Sequence, residues 1–381
     1  MAKPEIRLKG FKGEWENKLL GNLCSVNRGV RVTRKELNNQ GDYPVFQNTD
    51  YPMGFYNQYN VAGNNPFVII GGSAGLIGFS KKEFWAADDC VYFGDNAELD
   101  KAYLFNILLK HSSTIKKNVR GSSVPRLDRK VLVGLSISIP SIDEQQGIAD
   151  YFKSLDSMIQ GVTKKIASLK QMKQACLVSM FPQAGETTPR VRFKGFKGEW
   201  GKNKAGNLFM TFNERNRPDL PVLSANQDIR GMAPRTDTGY NISHNKANEV
   251  TYKVVKPGQY VIHLRSFQGG FAHSSVEGIT SPAYTVFGFK DAERHDDYFW
   301  KIIFMSKEFI KSLETITYGI RDGRSISFSE FAEMNFYFPS KEEQQQIASF
   351  FTSLDKQISL QEARLEKLKQ IKSACLDKMF V

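Results

Sequence analysis

The chain has 381 residues, 41% hydrophobic and 24% charged, which is ordinary for a soluble globular protein but too long for one core, so two or more domains are expected. A formal net charge of +12 and a pI near 9.3 favour a polyanionic partner, nucleic acid before an acidic protein or a membrane surface. No apolar run is long enough to span a bilayer, Met1-Ala2-Lys3-Pro4-Glu5 lacks a signal-peptide core, and Cys24, Cys90, Cys176 and Cys375 show no Cys-x-x-Cys pair. These features argue against membrane insertion, a disulfide framework and a zinc site, and predict a cytoplasmic chain with reduced thiols.

The chain opens on a block, Arg7-Leu8-Lys9-Gly10-Phe11-Lys12-Gly13-Glu14-Trp15, followed by Gly21-Asn22-Leu23. A mixed, strand-rich region runs from about Leu20 to Ile139. Its β-rich runs are Phe67-Val68-Ile69-Ile70 and Cys90-Val91-Tyr92-Phe93, with a turn at Gly71-Gly72-Ser73-Ala74-Gly75 and a short helix near Ala102–Lys110. Pro140 ends an extended lead-in, and Ser141 with Glu144 fits a capping box that opens a long helix. Leu155, Ile159, Val162, Ile166, Leu169, Cys176 and Met180 then alternate at spacings of three and four, interrupted by Lys173. That is a coiled-coil seam. Pro182 to Pro189 reads as a turn or linker.

The same order then returns. Arg192-Phe193-Lys194-Gly195-Phe196-Lys197-Gly198-Glu199-Trp200 repeats the opening block, and Gly206-Asn207-Leu208 follows it. A second variable region, from about Ala205 to Phe338, carries Tyr260-Val261-Ile262, a turn-rich Arg265-Ser266-Phe267-Gln268-Gly269-Gly270, Tyr284-Thr285-Val286-Phe287 and a short helix near Tyr298–Ser306. Pro339-Ser340-Lys341-Glu342-Glu343-Gln344-Gln345 repeats Pro140-Ser141-Ile142-Asp143-Glu144-Gln145-Gln146 at a constant offset of 199, Pro140 to Pro339. The second seam holds Leu354, Ile358, Leu365, Leu368, Cys375 and Met379, with Gln361 and Lys372 as polar interruptions. Each helix, at roughly 40 residues and 1.5 Å per residue, makes a rod of roughly 60 Å.

Connectivity sets the geometry. Equivalent halves require the second helix to end beside the opening block, so the helices run antiparallel and the chain closes on itself with a pseudo-two-fold axis. The fold class is α+β: two strand-rich domains separated by two long antiparallel helices forming a coiled coil. The segments are 1–139, 140–183, 184–338 and 339–381.

Catalytic motifs are missing. The sequence holds no Walker A loop and no Gly-x-Gly-x-x-Gly, and the Gly71–Gly78 stretch sits inside a strand–turn–strand pattern. Asn64-Asn65-Pro66-Phe67 lacks the second proline of the amino-methyltransferase signature and reads as a turn into a strand. The five histidines are scattered, and Asp88-Asp89 and Asp296-Asp297 read as solvated loop charges.

Nucleic-acid chemistry is present instead. Arg120, Ser122, Ser123 and Arg126 lie in a loop ahead of the last strand of the first region, and Arg321 and Arg324 take the same place in the second. Hydroxyls and arginines there suit phosphates, and arginine forks onto guanine. Gln47, Asn48, Tyr56, Asn57 and Ser73 in the first region, and Arg215, Arg217, Asn226, Arg230, Arg265 and Gln268 in the second, complete the candidate DNA-binding set. Asn and Gln suit adenine. Taken singly, each of these also reads as a polar loop residue.

The order of variable domain, Glu144-Gln145-Gln146-x-Ile148-Ala149 helix, variable domain and Glu343-Gln344-Gln345-x-Ile347-Ala348 helix resembles the specificity subunit of type I restriction-modification systems. Asp156 with Asp355, and Lys170-Gln171 with Lys369-Gln370, support it, as does Gly121-Ser122-x-x-Pro125-Arg126-Leu127; Gly323-Arg324-Ser325-Ile326-Ser327 departs by lacking the proline. The resemblance implies a non-catalytic chain that binds no cofactor. Each domain would read one half of a bipartite site in double-stranded DNA. The helices would fix the spacer and dock two methyltransferase subunits, which carry S-adenosylmethionine. Motor-nuclease subunits using ATP and Mg would complete the complex. The alternatives are a coiled-coil adaptor that spaces two protein-binding domains, and a stand-alone nuclease or methyltransferase.

Overall fold

The computed structural model describes residues 3–38, 40–183, 185–226, 231–238, 246–263, 270–316 and 326–381. The chain divides into two compact units, Met1–Lys165 with Gln361–Val381, and Ile166–Leu360. Each unit therefore takes one variable region, part of one long helix and the complementary part of the other.

In chain order the first unit holds β1 (Glu16–Leu19), α1 (Leu20–Leu23), β2 (Val26–Arg28), β3 (Tyr43–Phe46), β4 (Gly54–Tyr56), β5 (Asn65–Ile69), β6 (Ile77–Ser80), β7 (Trp85–Ala86) and β8 (Cys90–Phe93). Helices α2 (Lys101–Lys110), α3 (Ser112–Lys117) and α4 (Arg129–Val133), strand β9 (Ser136–Ile139) and the start of the long α5 (Ile142–Ser179) follow. Strand order β2-β8-β5-β6 makes an antiparallel sheet, β4-β3-β7 a smaller one, and β1 pairs with β9. Every residue of β5 is buried, which is why its apolar run lacks polar alternation. The Asp100 side chain caps α2 by accepting from the Tyr103 N–H at 2.8 Å.

The second unit holds β10 (Gly201–Lys204), α6 (Ala205–Leu208), β11 (Phe209–Phe212), β12 (Leu223–Asn226), β13 (Gly231–Pro234), β14 (Lys253–Val255), β15 (Tyr260–Ile262), β16 (Phe271–His273), β17 (Gly278–Thr280) and β18 (Thr285–Phe289). After them come α7 (Asp297–Met305), α8 (Lys307–Ile316), α9 (Phe328–Ala332), β19 (Asn335–Phe338) and α10 (Lys341–Met379). The sheet core β11-β18-β15-β16 has the order of β2-β8-β5-β6, and β10-β19 matches β1-β9. The two regions thus share a frame despite poor identity. They differ in the insert: β3, β4 and β7 form their own sheet, whereas β12 and β13 extend the main one through β16.

The repeated residues explain the repeated frame. In each unit the opening block folds onto a helix start. Arg7 donates from Nε and Nη2 to both carboxylate oxygens of Glu144 at 2.7 Å, and from Nη1 to the Gly13 carbonyl at 2.7 Å. Arg192 repeats this on Glu343 at 2.6 and 2.7 Å and on the Gly198 carbonyl at 2.6 Å. Gly13 and Gly198 stand at φ +96° and +82°, a conformation that glycine adopts without strain. The expected capping boxes are therefore replaced: both glutamates are spent on arginines more than a hundred residues away, which a local spacing rule cannot see. Both carboxylates are 1% exposed, and each guanidinium is held above its ordinary pKa by its glutamate.

The next residue of the motif clamps the variable region. Gln145 accepts from the Asp100 N–H at 2.9 Å and donates to the carbonyls of Glu98 and Pro140 at 2.8 and 3.0 Å. Gln344 accepts from the Asp296 N–H at 3.0 Å and donates to the Pro339 carbonyl at 2.8 Å. Both glutamines are completely buried. Burying an amide without partners costs free energy, so the bonds and the burial go together.

Within each unit the two long helices run antiparallel. In the first, Tyr151 meets Cys375 and Asp156 meets Lys372; in the second, Lys173 meets Asp355, with Leu169 packed among Leu354, Ile358 and Phe350. Helix ends also return where connectivity demanded: the Ile6 N–H donates to Lys378 and the Val191 N–H to Ser179. Of the seam positions, Leu155, Val162, Ile166, Leu169, Leu354 and Ile358 are buried, and Ile159, Gln361, Leu365 and Leu368 are half-buried. Met379 and Phe380 enter the first unit's core beside Tyr103 and Phe152; Met180 and Phe181 pack in the second beside Trp200, Phe299 and Phe351.

Candidate nucleic-acid interface

In the first unit the loop at 120–126 is a hairpin. Arg120 and Arg126 exchange both backbone hydrogen bonds, at 2.8 and 2.7 Å, around Gly121 at φ +91°. A Cβ on Gly121 would come within 2.8 Å of the Val124 carbonyl. The hairpin is pinned to the turn after β5: the Gly72 N–H donates to Pro125, the Leu127 N–H to Ile70, and the Ser73 N–H to Asn48. Asn48, Ser73, Arg120, Ser122, Ser123 and Arg126, dispersed over about eighty positions, are thereby gathered on one exposed edge. Lys116 and Lys117 of α3 are exposed beside it, and the Arg120 guanidinium donates to the Lys117 carbonyl.

An acidic turn underlies this edge. Arg126 Nη1 donates to Asp89 Oδ1 at 2.8 Å. Gln47 Nε2 lies 3.4 Å from Asp88 Oδ1, and Arg28 Nε donates to the Asp88 carbonyl at 2.5 Å. Asp88 and Asp89, expected as solvated loop charges, thus contact Gln47 and Arg126 through their carboxylates and Arg28 through the Asp88 backbone; of the other expected pair, Asp296 caps α7 and Asp297 meets His273. Arg28 and the exposed Arg31, Arg34 and Lys35 that follow it are not among the candidates the sequence offered. Four basic residues within eight was the available signal. Gly29 lets that segment approach, since a Cβ there would come within 2.2 Å of the Ala86 and Ala87 carbonyls.

The remaining candidates sit on other elements. Tyr56 is half-buried and meets the Trp85 ring at 4.9 Å, while Asn57 is exposed. Nearby Asn60 makes two bonds to the Ala86 backbone, at 2.9 and 2.7 Å. In the second unit Arg215 is exposed and bonds Asn213 at 3.1 Å; Arg217 forks onto Asp219 at 2.8 and 2.9 Å and holds that carboxyl below its usual range. Asn226 ends β12, half-buried. Arg230, Arg265, Gln268, Arg321 and Arg324 lie outside the described residues.

The helices carry a paired electrostatic feature. Lys173 binds Asp355 and Lys372 binds Asp156, each at 2.5 Å. The two ion pairs are equivalent under the 199-residue offset, so both lysine interruptions of the seam are matched by an aspartate on the facing helix.

A family model for the type I restriction modification DNA specificity domain matches residues 12–171 and 198–370. The chain belongs to this family. It is a type I specificity subunit by that membership, and each match spans one variable region and most of the long helix that follows it. The MjaVIII specificity subunit of Methanocaldococcus jannaschii is 23% identical over 399 residues, covering 96% of this chain and 91% of that one. S.MpnORF507P of Mycoplasma pneumoniae is 27% identical over 180 residues, 46% of this chain; the match spans 48% of that relative, about half its length. Among solved structures, the S subunit from M. genitalium superposes with a TM-score of 0.68 at 16% identity, over 100% of this chain and 99% of that one. Among the described residues, no helix is long and apolar enough to cross a membrane.

Proposed function

We propose that this specificity subunit is the DNA reader of a type I restriction-modification complex, with no catalytic role of its own. Residues 1–139 and 184–338 each read one half of a bipartite, asymmetric site in double-stranded DNA. The observation that carries the reading is one frame built twice, with unlike inserts on it: a separate β4-β3-β7 sheet in one unit and the β12-β13 extension in the other. Equal frames present two readers in the same manner, and unlike inserts read unlike bases. The charge of +12 and the Arg120–Arg126 edge suit phosphate and guanine contacts.

The long helices set the unread spacer, as a rigid connector fixes half-site separation where a flexible one does not. They also dock two methyltransferase subunits. Met172 and Ile371, equivalent positions on the two helices, leave apolar side chains 43% and 36% exposed, which is compatible with such a partner. S-adenosylmethionine would reside on those subunits, which methylate adenine. ATP and Mg would reside on motor-nuclease subunits.

Exchange of residues 20–139 for the corresponding region of another such subunit tests the reading. Mapping of methylated adenines should show one half of the site changed and the other kept. A change in both halves, or in neither, refutes it.

A further inference from the structure

The Asp88–Asp89 turn is an anomaly on the proposed DNA face. An acid beside phosphates repels them, so it lowers affinity unless it does something else. Asp89 is held firmly: its side chain is 18% exposed, and its carbonyl accepts from the Ile70 N–H at 2.8 Å. Gly71 makes room for it, because a Cβ there would come within 2.5 Å of the carboxylate. Its Oδ1 takes one terminal nitrogen of Arg126, a residue 57% exposed, with Arg126 reaching over from the hairpin. Asp88 adds contacts to Gln47 and Arg28 from two further segments.

We infer that Asp89 is a positioning residue, which holds the Arg126 guanidinium in one orientation for reading a base of the first half-site. The inference rests on the DNA-reading function proposed above. A long arginine on a loop has many rotamers, and each fixed nitrogen reduces the ordering left to do on binding. One nitrogen on Asp89 leaves others for the base edge. The carboxylate also penalises the site against bare phosphate binding, which favours the correct sequence over the rest.

The test uses the full chain assembled with its methyltransferase subunits, and duplexes bearing the mapped site or single-base changes in either half. Asp89→Ala should lower the preference for the correct base by about tenfold at one or two positions of the first half-site, about 1.4 kcal/mol. Binding to unrelated duplex should not weaken, and the second half-site should be read as before. In an Arg126→Ala background the same change should add less than about twofold, because a residue acting through Arg126 has nothing left to hold. Gly71→Ala, which displaces the carboxylate without removing it, should reproduce the effect. Asp89→Leu, close in size and without an acceptor, serves if Asp89→Ala fails to fold, and should show the same direction. Unchanged base preference in Asp89→Ala or Asp89→Leu, or full additivity with Arg126→Ala, overturns the positioning role while leaving the DNA-reading function standing. If Arg126→Ala itself changes neither half-site nor affinity, the DNA-face assignment of this edge fails instead.

Discussion

Replacement of Gln145 by leucine isolates the clamp between the long helix and the first variable region. Leucine keeps the volume and removes three hydrogen bonds, leaving the Asp100 N–H and the carbonyls of Glu98 and Pro140 without this partner. At about 1 kcal/mol for each bond, the change should cost about 3 kcal/mol. Gln344→Leu removes two bonds and should cost about 2 kcal/mol on the same scale. Hydrogen exchange resolved by peptide is the assay, since it reports each unit separately. In Gln145→Leu, amides around the start of α2 should exchange about a hundredfold faster, at about 1.4 kcal/mol per tenfold. The matching amides around Asp296 should be unaffected, and Gln344→Leu should give the mirror result at about thirtyfold by the same conversion. Acceleration below about threefold, or equal acceleration in both units, would refute the clamp and its assignment to one unit.

Arg7→Ala and Arg192→Ala each strand a buried carboxylate and should destabilise by about 3 kcal/mol in urea titration, with Glu144→Gln or Glu343→Gln recovering part of the loss. Lys173→Asp should weaken the helix pairing of its unit by about 1 kcal/mol or less, as the pair is partly exposed, and Asp355→Lys added to it should restore melting. Burial raises the Asp297 carboxyl, but the hydrogen bond and charge of His273, 2.6 Å away, more than offset it and leave its pKa depressed. A depressed carboxylate stabilises above its unfolded pKa of about 3.9 and loses that contribution as pH falls through the folded value, so Asp297→Asn should flatten the acid limb of stability against pH.

The duplication, the two long helices and their antiparallel course were legible because they rest on repeats, period and chain order, all of which are one-dimensional. The β5 and β8 runs and the short helices α2 and α7 were legible from local composition, as apolar runs bounded by turn residues. The partners of Glu144 and Glu343 were not. Spacing offered Ser141 and Ser340 as the near partners, yet each carboxylate meets an arginine of the opening block, 137 and 151 residues away. The edge at Arg120–Arg126 was half legible. Its residue types pointed to nucleic acid, but Asp88, Asp89 and Arg28 join it only through strand pairing and turns.

The sequence by itself determined that one unit of chain is built twice, with rods at fixed positions and different loops between them. Periodicity and duplication survive in any listing of the residues. Tertiary structure alone decided what each repeated residue is for. Arg7 and Arg192 hold helix starts, Gln145 and Gln344 clamp the variable regions, and Lys173 and Lys372 answer aspartates across the seam. The physical reason is that a buried polar group must find its partner wherever the fold brings one, and the fold brings it from distant chain.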